Sequence, residues 1–334
     1  MKIGHVDLND DVFVIAEIGN NHEGDFDLAK EMIRSAAQAG VHAVKFQSIV
    51  PEKLVASSQV DRIAQLKRFQ FSGDQFAELS KVAAKSGVVF MSTPFDVETV
   101  VYLDALVPAF KIASGDNDNV PLLRAVARTG KPIIMSTGLA DLEQVRNSVA
   151  VIEEIWKQQG IDQDIALLHC VVSYPTAPEH AHLSAIGDLK GLGHWAGYSD
   201  HTIGVDAAVL SVALGARVIE KHFTIDKKHS EFRDHQLSAD PNDMQELVER
   251  VRMAQVLIGA GDKHVQDCEK GNIGVRRSIF ADRDMATGHV LTPGDLICLR
   301  STEGIPSADF DRILDRPLLK PIKQGDILMA EHIA

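Results

Sequence analysis

Residues 12–24 read VFVIAEIGNNHEG. The first seven, rich in Val and Ile, make a strand buried on both faces, and the turn that follows decides between two folds. An open doubly wound sheet usually carries a glycine-rich phosphate turn, GxGxxG, after its first strand, and GNNHEG is not that string. Outward from this point, a short apolar run followed by a longer amphipathic stretch recurs to about residue 260. The further apolar runs lie at 43–46, 88–91, 109–112, 132–135, 165–168, 195–198 and 218–223. Helical patterns at 26–39, 74–86, 96–106, 119–129, 141–158, 204–214 and 241–259 separate them, and the segment after the sixth strand is weak. Eight such units in about 250 residues predict an α/β chain folded as a (β/α)8 barrel.

After Ile258 the texture changes. Gly259-Ala260-Gly261-Asp262 ends the last helix, which puts the barrel domain at 1–262. A polar linker at 263–274 follows, and then a small β-rich domain at 275–334. Two pieces of that domain echo each other, TPGDLI at 292–297 and KQGDIL at 323–328, which suggests internal pseudo-symmetry.

The 334 residues include 47 acids against 34 Lys and Arg, a formal net charge of −13. Such a surface repels a phosphate backbone, so a broad nucleic-acid interface is excluded and any phosphorylated ligand must meet a few local cations. The first residues are polar and acidic, unlike a signal peptide. No apolar run reaches the roughly 18 residues of a membrane helix. Cys170, Cys268 and Cys298 are too few and too scattered for a disulfide framework or a Cys-based zinc site. A soluble cytoplasmic enzyme is expected.

In a barrel, chemistry sits at the carboxyl ends of the strands. Polar residues collect there: Glu17 on strand one; Lys45 and Gln47 on strand two; Ser92 and Thr93 on strand three; Lys111, Ser114 and Asp116 at strand four. Ser136 and Thr137 end strand five, and His169, Ser173 and Tyr174 follow strand six. Ser199, Asp200 and His201 end strand seven, and Glu220 and His222 lie on strand eight. A lysine inside a barrel strand is costly unless it meets an anion. Lys45 and Lys111, joined by hydroxyls of Thr93 and Ser114, would make a phosphate or carboxylate pocket; the bland alternative is a lysine that snorkels outward between helices. Period two puts Glu220 and His222 on one face. If that face is inward, His222 lies beside His201, and two imidazoles on adjacent strand ends can share a divalent ion with positions left for water and substrate. The bland alternative is a pair of hydrogen-bonded structural histidines, which is how His22 and His169 are read.

The strings AEIGNNHEG (16–24), VKFQ (44–47), STPFD (92–96), KIASGD (111–116), GYSDHT (197–202) and EKHFT (220–224) resemble the sialic acid (nonulosonate) synthase family. RRSIFA (276–281) and LRSTEGIP (299–306) are similar to the antifreeze-protein-like SAF domain, a β-clip fold, that those enzymes carry. The resemblance covers essentially the whole chain. It implies condensation of phosphoenolpyruvate with the open-chain aldehyde of a hexosamine-type sugar, giving a nine-carbon 2-keto-3-deoxy acid and phosphate. Carried over by motif, Lys45, Thr93, Lys111, Ser114 and Ser199 resemble the phosphoenolpyruvate ligands. His201 and His222 resemble ligands of a divalent metal, manganese in the first place, with magnesium or cobalt as alternatives. Glu17 resembles the catalytic carboxylate. Gln47, Asp116, Tyr174 and Asp234 fall where the acceptor sugar is held, and Arg300 matches an arginine offered to the sugar by the partner subunit, in a domain-swapped homodimer.

Departures fall on the acceptor side. Asp116 stands where the family usually has Glu, Val172 where a polar amide is expected, and EFRDH (231–235) where GPDH is common. N-acetylmannosamine is the default acceptor, with a diacetamido-dideoxy hexose or an unacetylated or phosphorylated hexose as alternatives. Two other functions compete: a barrel aldolase using a lysine Schiff base, and a non-catalytic sugar-binding sensor.

Overall fold

The computed structural model describes residues 1–259, 261 and 263–334, so the expected domain boundary at residue 262 lies outside the described residues. The chain divides into two compact units, Met1–Gly259 and Ala260–Ala334.

In the first unit, β1 (Lys2–Ile3) and β2 (Val6–Asp7) form an antiparallel hairpin. Eight parallel strands follow: β3 (Phe13–Gly19), β4 (Ala43–Ser48), β5 (Val89–Pro94), β6 (Phe110–Ile112), β7 (Ile133–Ser136), β8 (Ile165–Cys170), β9 (Trp195–Asp200) and β10 (Val218–His222). Their order is β5-β4-β3-β10-β9-β8-β7-β6, and β5 and β6 lie side by side, so the sheet curls into a nearly closed barrel. The predicted strands are all present. Helices separate them, from Phe26–Gln38 after β3 to Pro241–Ile258 after β10. The weak segment after the sixth barrel strand does hold a helix, Ala185–Lys190, but it has only six residues, with Gly187 in the middle. Part of the acidic surplus has a structural use: Asp25, Asp96, Asp141 and Asp240 each accept backbone N–H groups at the start of a helix.

Period two along each strand sorts side chains into two shells. Val14, Ala16, Val44, Phe46, Phe90, Phe110 and Ile133 face the helices. Phe13, Ile15, Ala43, Val89, Met91, Ile134, Ala166, Leu168 and Val218 face the axis, where they pack against Ile3, Val6 and Leu8 of the hairpin segment. The hairpin therefore plugs the amino end of the barrel, and its two-residue strands are too short for any periodicity to predict them. One rung is filled by backbone alone. A methyl group on Gly197 would lie 2.4 Å from the Val218 carbonyl oxygen and 2.3 Å from Leu168 Cδ2, so no larger residue fits there.

In the second unit, β11 (Arg277–Ala281) and β12 (Leu296–Arg300) pair antiparallel over a small core of Ile279, Leu291, Leu318 and Leu328. The segment expected as a linker carries a 3-10 helix, Asp267–Val275. The sequence echo is visible in the turns. Asp295 Oδ2 accepts the Thr292 N–H at 2.8 Å and Asp326 Oδ2 accepts the Lys323 N–H at 3.1 Å, and the segments that follow flank β11 on its two sides.

Candidate active site

The strand register that buries Phe13, Ala43, Met91, Ile134 and Val218 toward the axis places Glu17, Lys45, Gln47, Thr93, Lys111, Ser136, Ser199, Glu220 and His222 on the same inward face near the carboxyl end. At the end of β3 the pairing with β4 slips between Glu17 and Gly19, and Gly19 takes φ +54°. Bulges of this kind re-aim side chains beside active sites. A side chain at residue 19 would meet Glu17 Oε1 at 3.3 Å and Gln47 Nε2 at 3.4 Å, so the missing Cβ leaves room for both.

Four charged groups meet there. Lys45 Nζ lies 2.6 Å from Glu17 Oε2 and 3.6 Å from Glu220 Oε2, and it donates to Thr93 Oγ1 at 3.0 Å. Lys111 Nζ lies 3.5 Å from Glu220 Oε1 and donates to Ser136 Oγ at 2.7 Å. Ser199 Oγ donates to Glu220 Oε1 at 3.1 Å. All four charged residues are buried. Burial pushes Glu17 above the usual carboxylate range, and although Lys45 pulls it back, the net direction is upward. Burial acts the same way on Glu220, but Lys111 and Lys45 outweigh it and hold that carboxylate down at about 2. Burial lowers Lys111, whereas for Lys45 the same burial penalty is overcome by Glu17 and Glu220 and the ammonium is held above its ordinary range.

Two expectations change here. The lysines do not wait for a ligand to neutralise them, because Glu17 and Glu220 already do. The hydroxyl on Lys111 is that of Ser136, not Ser114. Ser136 is an inward residue of the adjacent strand, whereas Ser114 lies beyond β6 in a 3-10 turn, Ser114–Asp116, where its Oγ accepts the Gly138 N–H at 3.1 Å. In the sequence, period two shows Glu220 on the face of His222 without assigning it a role, and Ser136 reads only as a strand end.

The two histidines converge. The ring centroids of His201 and His222 are 5.4 Å apart, and the Tyr174 ring sits 4.1 Å from His201 and 6.1 Å from His222. His201 Nδ1 lies 2.8 Å from the Val171 carbonyl, a bond that puts the proton on Nδ1 and leaves Nε2 a free donor for a metal. His222 Nδ1 is buried with no hydrogen-bond partner among the described residues. Buried ring nitrogens are seldom left so, and a divalent ion would satisfy it. Among the described residues no group of three or more His, Cys, Asp or Glu side chains forms a ready-made metal cage, so water and substrate would complete the coordination. His22 and His169 match the structural reading: His22 stacks on Phe71 at 4.3 Å with Nδ1 accepting the Gly24 N–H, and His169 Nε2 lies 2.8 Å from the Ala181 carbonyl.

The other expected residues lie on different elements, with Gln47 at the end of β4. Gln47 donates to Glu17 Oε1 and accepts from Asn20, both at 3.0 Å. Burial raises the Tyr174 phenol, and the nearby Cys170, Asp234, Glu17 and Glu220 push the same way; Asp234 lies on the short helix Arg233–Leu237. Asp116 is half-buried, accepts from Asn119 at 3.0 Å, and is raised by burial. Arg300, in the second unit, is exposed at the end of β12 opposite Arg277, and its side chain makes no hydrogen bond or ion pair among the described residues. No helix of the described residues is long and apolar enough to cross a membrane.

Residues 32–263 match the model of the NeuB family, and residues 276–334 match that of the SAF domain. The chain is 42% identical to an uncharacterized protein of Methanocaldococcus jannaschii, over 98% of this chain and 97% of that one. It is 37% identical to the N,N'-diacetyllegionaminic acid synthase of Legionella pneumophila, over 96% and 94%. Among solved structures, the N-acetylneuraminic acid (sialic acid) synthetase of Leptospira borgpetersenii, in complex with citrate, superposes with a TM-score of 0.77 at 35% identity, over 82% of this chain and 94% of that one.

Proposed function

The chain belongs to the NeuB family, and we propose that it is a nonulosonate synthase that condenses phosphoenolpyruvate with an open-chain N-acetylmannosamine-type sugar. The observation that carries this reading is the buried quartet of Lys45, Lys111, Glu17 and Glu220 beside two converging imidazoles. With all four ionised the quartet is neutral. The charge needed to hold a phosphoenolpyruvate trianion must therefore come from a proton taken up by Glu17, whose carboxyl burial pushes upward, and from a divalent ion at His201 and His222. Lys45, Lys111 and the hydroxyls of Thr93, Ser136, Ser114 and Ser199 orient the carboxylate and phosphate. A metal held by the two histidines, manganese or alternatively magnesium or cobalt, supplies Lewis acidity at the aldehyde oxygen. Carbon–carbon bond formation leaves cationic character at the enol carbon that bears the phosphate. Glu17, once it has passed its proton to the new alkoxide oxygen, can orient a water there and take a proton from it, after which phosphate leaves and the 2-keto group remains.

The acceptor is the open part of the reading, because relatives of similar identity carry names for different products. Phosphate release from phosphoenolpyruvate, measured with a panel of free and 6-phosphorylated hexosamines, should single out one acceptor. Ligand binding without phosphate release by any member of the panel would favour the sensor. Borohydride-trapped, chelator-insensitive turnover would favour the aldolase, for which Lys111, held low by burial, is the lysine of choice.

We further propose a homodimer in which Arg300 serves the partner's barrel. Leu139, Val172 and Ile203, on the loops after β7, β8 and β9, are exposed apolar side chains around the mouth, and the unpartnered Arg300 has no task within its own unit. Mixing Glu17→Gln protein with Arg300→Ala protein should then restore activity, since one hetero-dimer site contains both native residues. Native mass spectrometry must first show subunit exchange. With exchange shown, a mixture no more active than its parents excludes the arrangement.

A further inference from the structure

Two buried charged groups take no part in the chemistry above. Asp200 and Lys221 are each 1% exposed, and Lys221 Nζ lies 2.7 Å from Asp200 Oδ2. They are partners in the β9–β10 ladder, and alternation points both away from the axis, since Ser199, Glu220 and His222 point toward it. A buried ion pair is a poor source of stability, because desolvating both groups offsets most of their attraction. The remaining bonds show what else it does. Asp200 Oδ1 accepts the Thr202 N–H at 2.8 Å, and Lys221 Nζ donates to the Thr202 carbonyl at 2.9 Å. Both backbone polar groups of Thr202 are thus held by the pair. His201 lies between Asp200 and Thr202, its carbonyl accepts the Thr176 N–H at 2.9 Å, and its Nδ1 faces the Val171 carbonyl.

We propose that the Asp200–Lys221 pair is a positioning clamp that fixes the backbone on both sides of His201, so that the imidazole meets the site in one orientation and one tautomer. The pair touches no reacting atom and acts through His201 alone. Removing a partner hydrogen-bonded directly to a metal-binding imidazole changes metal affinity by about 10–100-fold, and the backbone clamp beside His201 is expected to act through the same orientation of the ring. The manganese arm of the test rests on the metal reading above; the tautomer arm does not.

Lys221→Met leaves a lone buried carboxylate and is liable to unfold, so the decisive protein is the double variant Asp200→Asn/Lys221→Met, which removes both charges at nearly the same volume. The His201 ring nitrogens are followed by ¹⁵N NMR, assigned by comparison with His201→Asn, and manganese binding is titrated on the same samples. The parent should show His201 as a single Nδ1–H tautomer. The folded double variant should show a mixture of tautomers and bind manganese about 10–100-fold more weakly. A folded double variant that keeps the parent's tautomer, with manganese affinity within about twofold of the parent, would overturn the clamp. A parent that binds no manganese ends the metal reading, and the tautomer of the double variant then decides the clamp by itself.

Discussion

Thorough chelation is expected to abolish phosphate release, manganese is expected to restore it, and His222→Ala is expected to lose most of the metal affinity. Among the described residues two imidazoles converge on the position, so losing one removes half of what they contribute. Polarising the acceptor carbonyl through a Lewis acid contributes several kcal/mol, which corresponds to about a thousandfold in rate or more. His222 Nδ1 already lacks a partner, so replacing the ring strands no new polar group, and the structural penalty is that of a cavity. Activity and fold can therefore be separated: near-normal thermal unfolding with activity lost is the expected outcome for His222→Ala. Full turnover by demetallated protein would sink the metal reading and leave the two imidazoles as structural groups.

Period two puts Glu220 and His222 on one face of a five-residue strand, whereas Glu17, Lys45, Lys111 and Ser199 are reached only as polar residues that collect at strand ends. It says nothing about which inward side chains meet across the barrel. That depends on stagger between strands, so Glu220 as the shared counter-charge of two lysines, and Ser136 in place of Ser114, emerged only from the register. The hairpin Lys2–Asp7 is stable because the open end of the barrel buries it, a tertiary cause with no local signature. Helices Pro51–Leu54 and Val60–Lys67 escaped for a similar reason: they are short and mostly exposed, and Leu66 with Phe69 and Ile49 forms only a small satellite cluster. Asp116, Tyr174 and Asp234 lie in short turns, a loop and a five-residue helix that follow no readable period, so only motif resemblance points to them.

Lys45→Met and Lys111→Met should weaken phosphoenolpyruvate binding far more than sugar binding, and the two variants should differ from each other. Truncating one partner of a buried charge contact costs about 2–5 kcal/mol, some 30-fold or more in affinity. That loss should appear for phosphoenolpyruvate by titration calorimetry, while the sugar's KM moves by less than about threefold. The difference between the variants follows from the contacts. Lys111 faces Glu220, and its loss still leaves Lys45 3.6 Å from that carboxylate. Lys45 faces both carboxylates, and its loss leaves Glu17 with no cation of the quartet in contact. In Lys45→Met, Glu17 and Glu220 then repel across a buried space, and one of them must hold a proton in the folded state. A carboxyl whose folded pKa lies above its unfolded value binds more protons when folded, so its contribution to stability is present at low pH and declines as pH rises through the folded pKa. Lys45→Met should accordingly lose stability with rising pH more strongly than Lys111→Met or the parent, in which Glu17 is also raised but Lys45 pulls it back, and thermal unfolding across pH measures the difference. Equal losses for phosphoenolpyruvate and sugar in both variants would mean that the lysines serve the fold or the acceptor. A Lys45→Met protein with the parent's pH profile would mean that Glu17 finds another cation, and the quartet would no longer explain how the trianion is held.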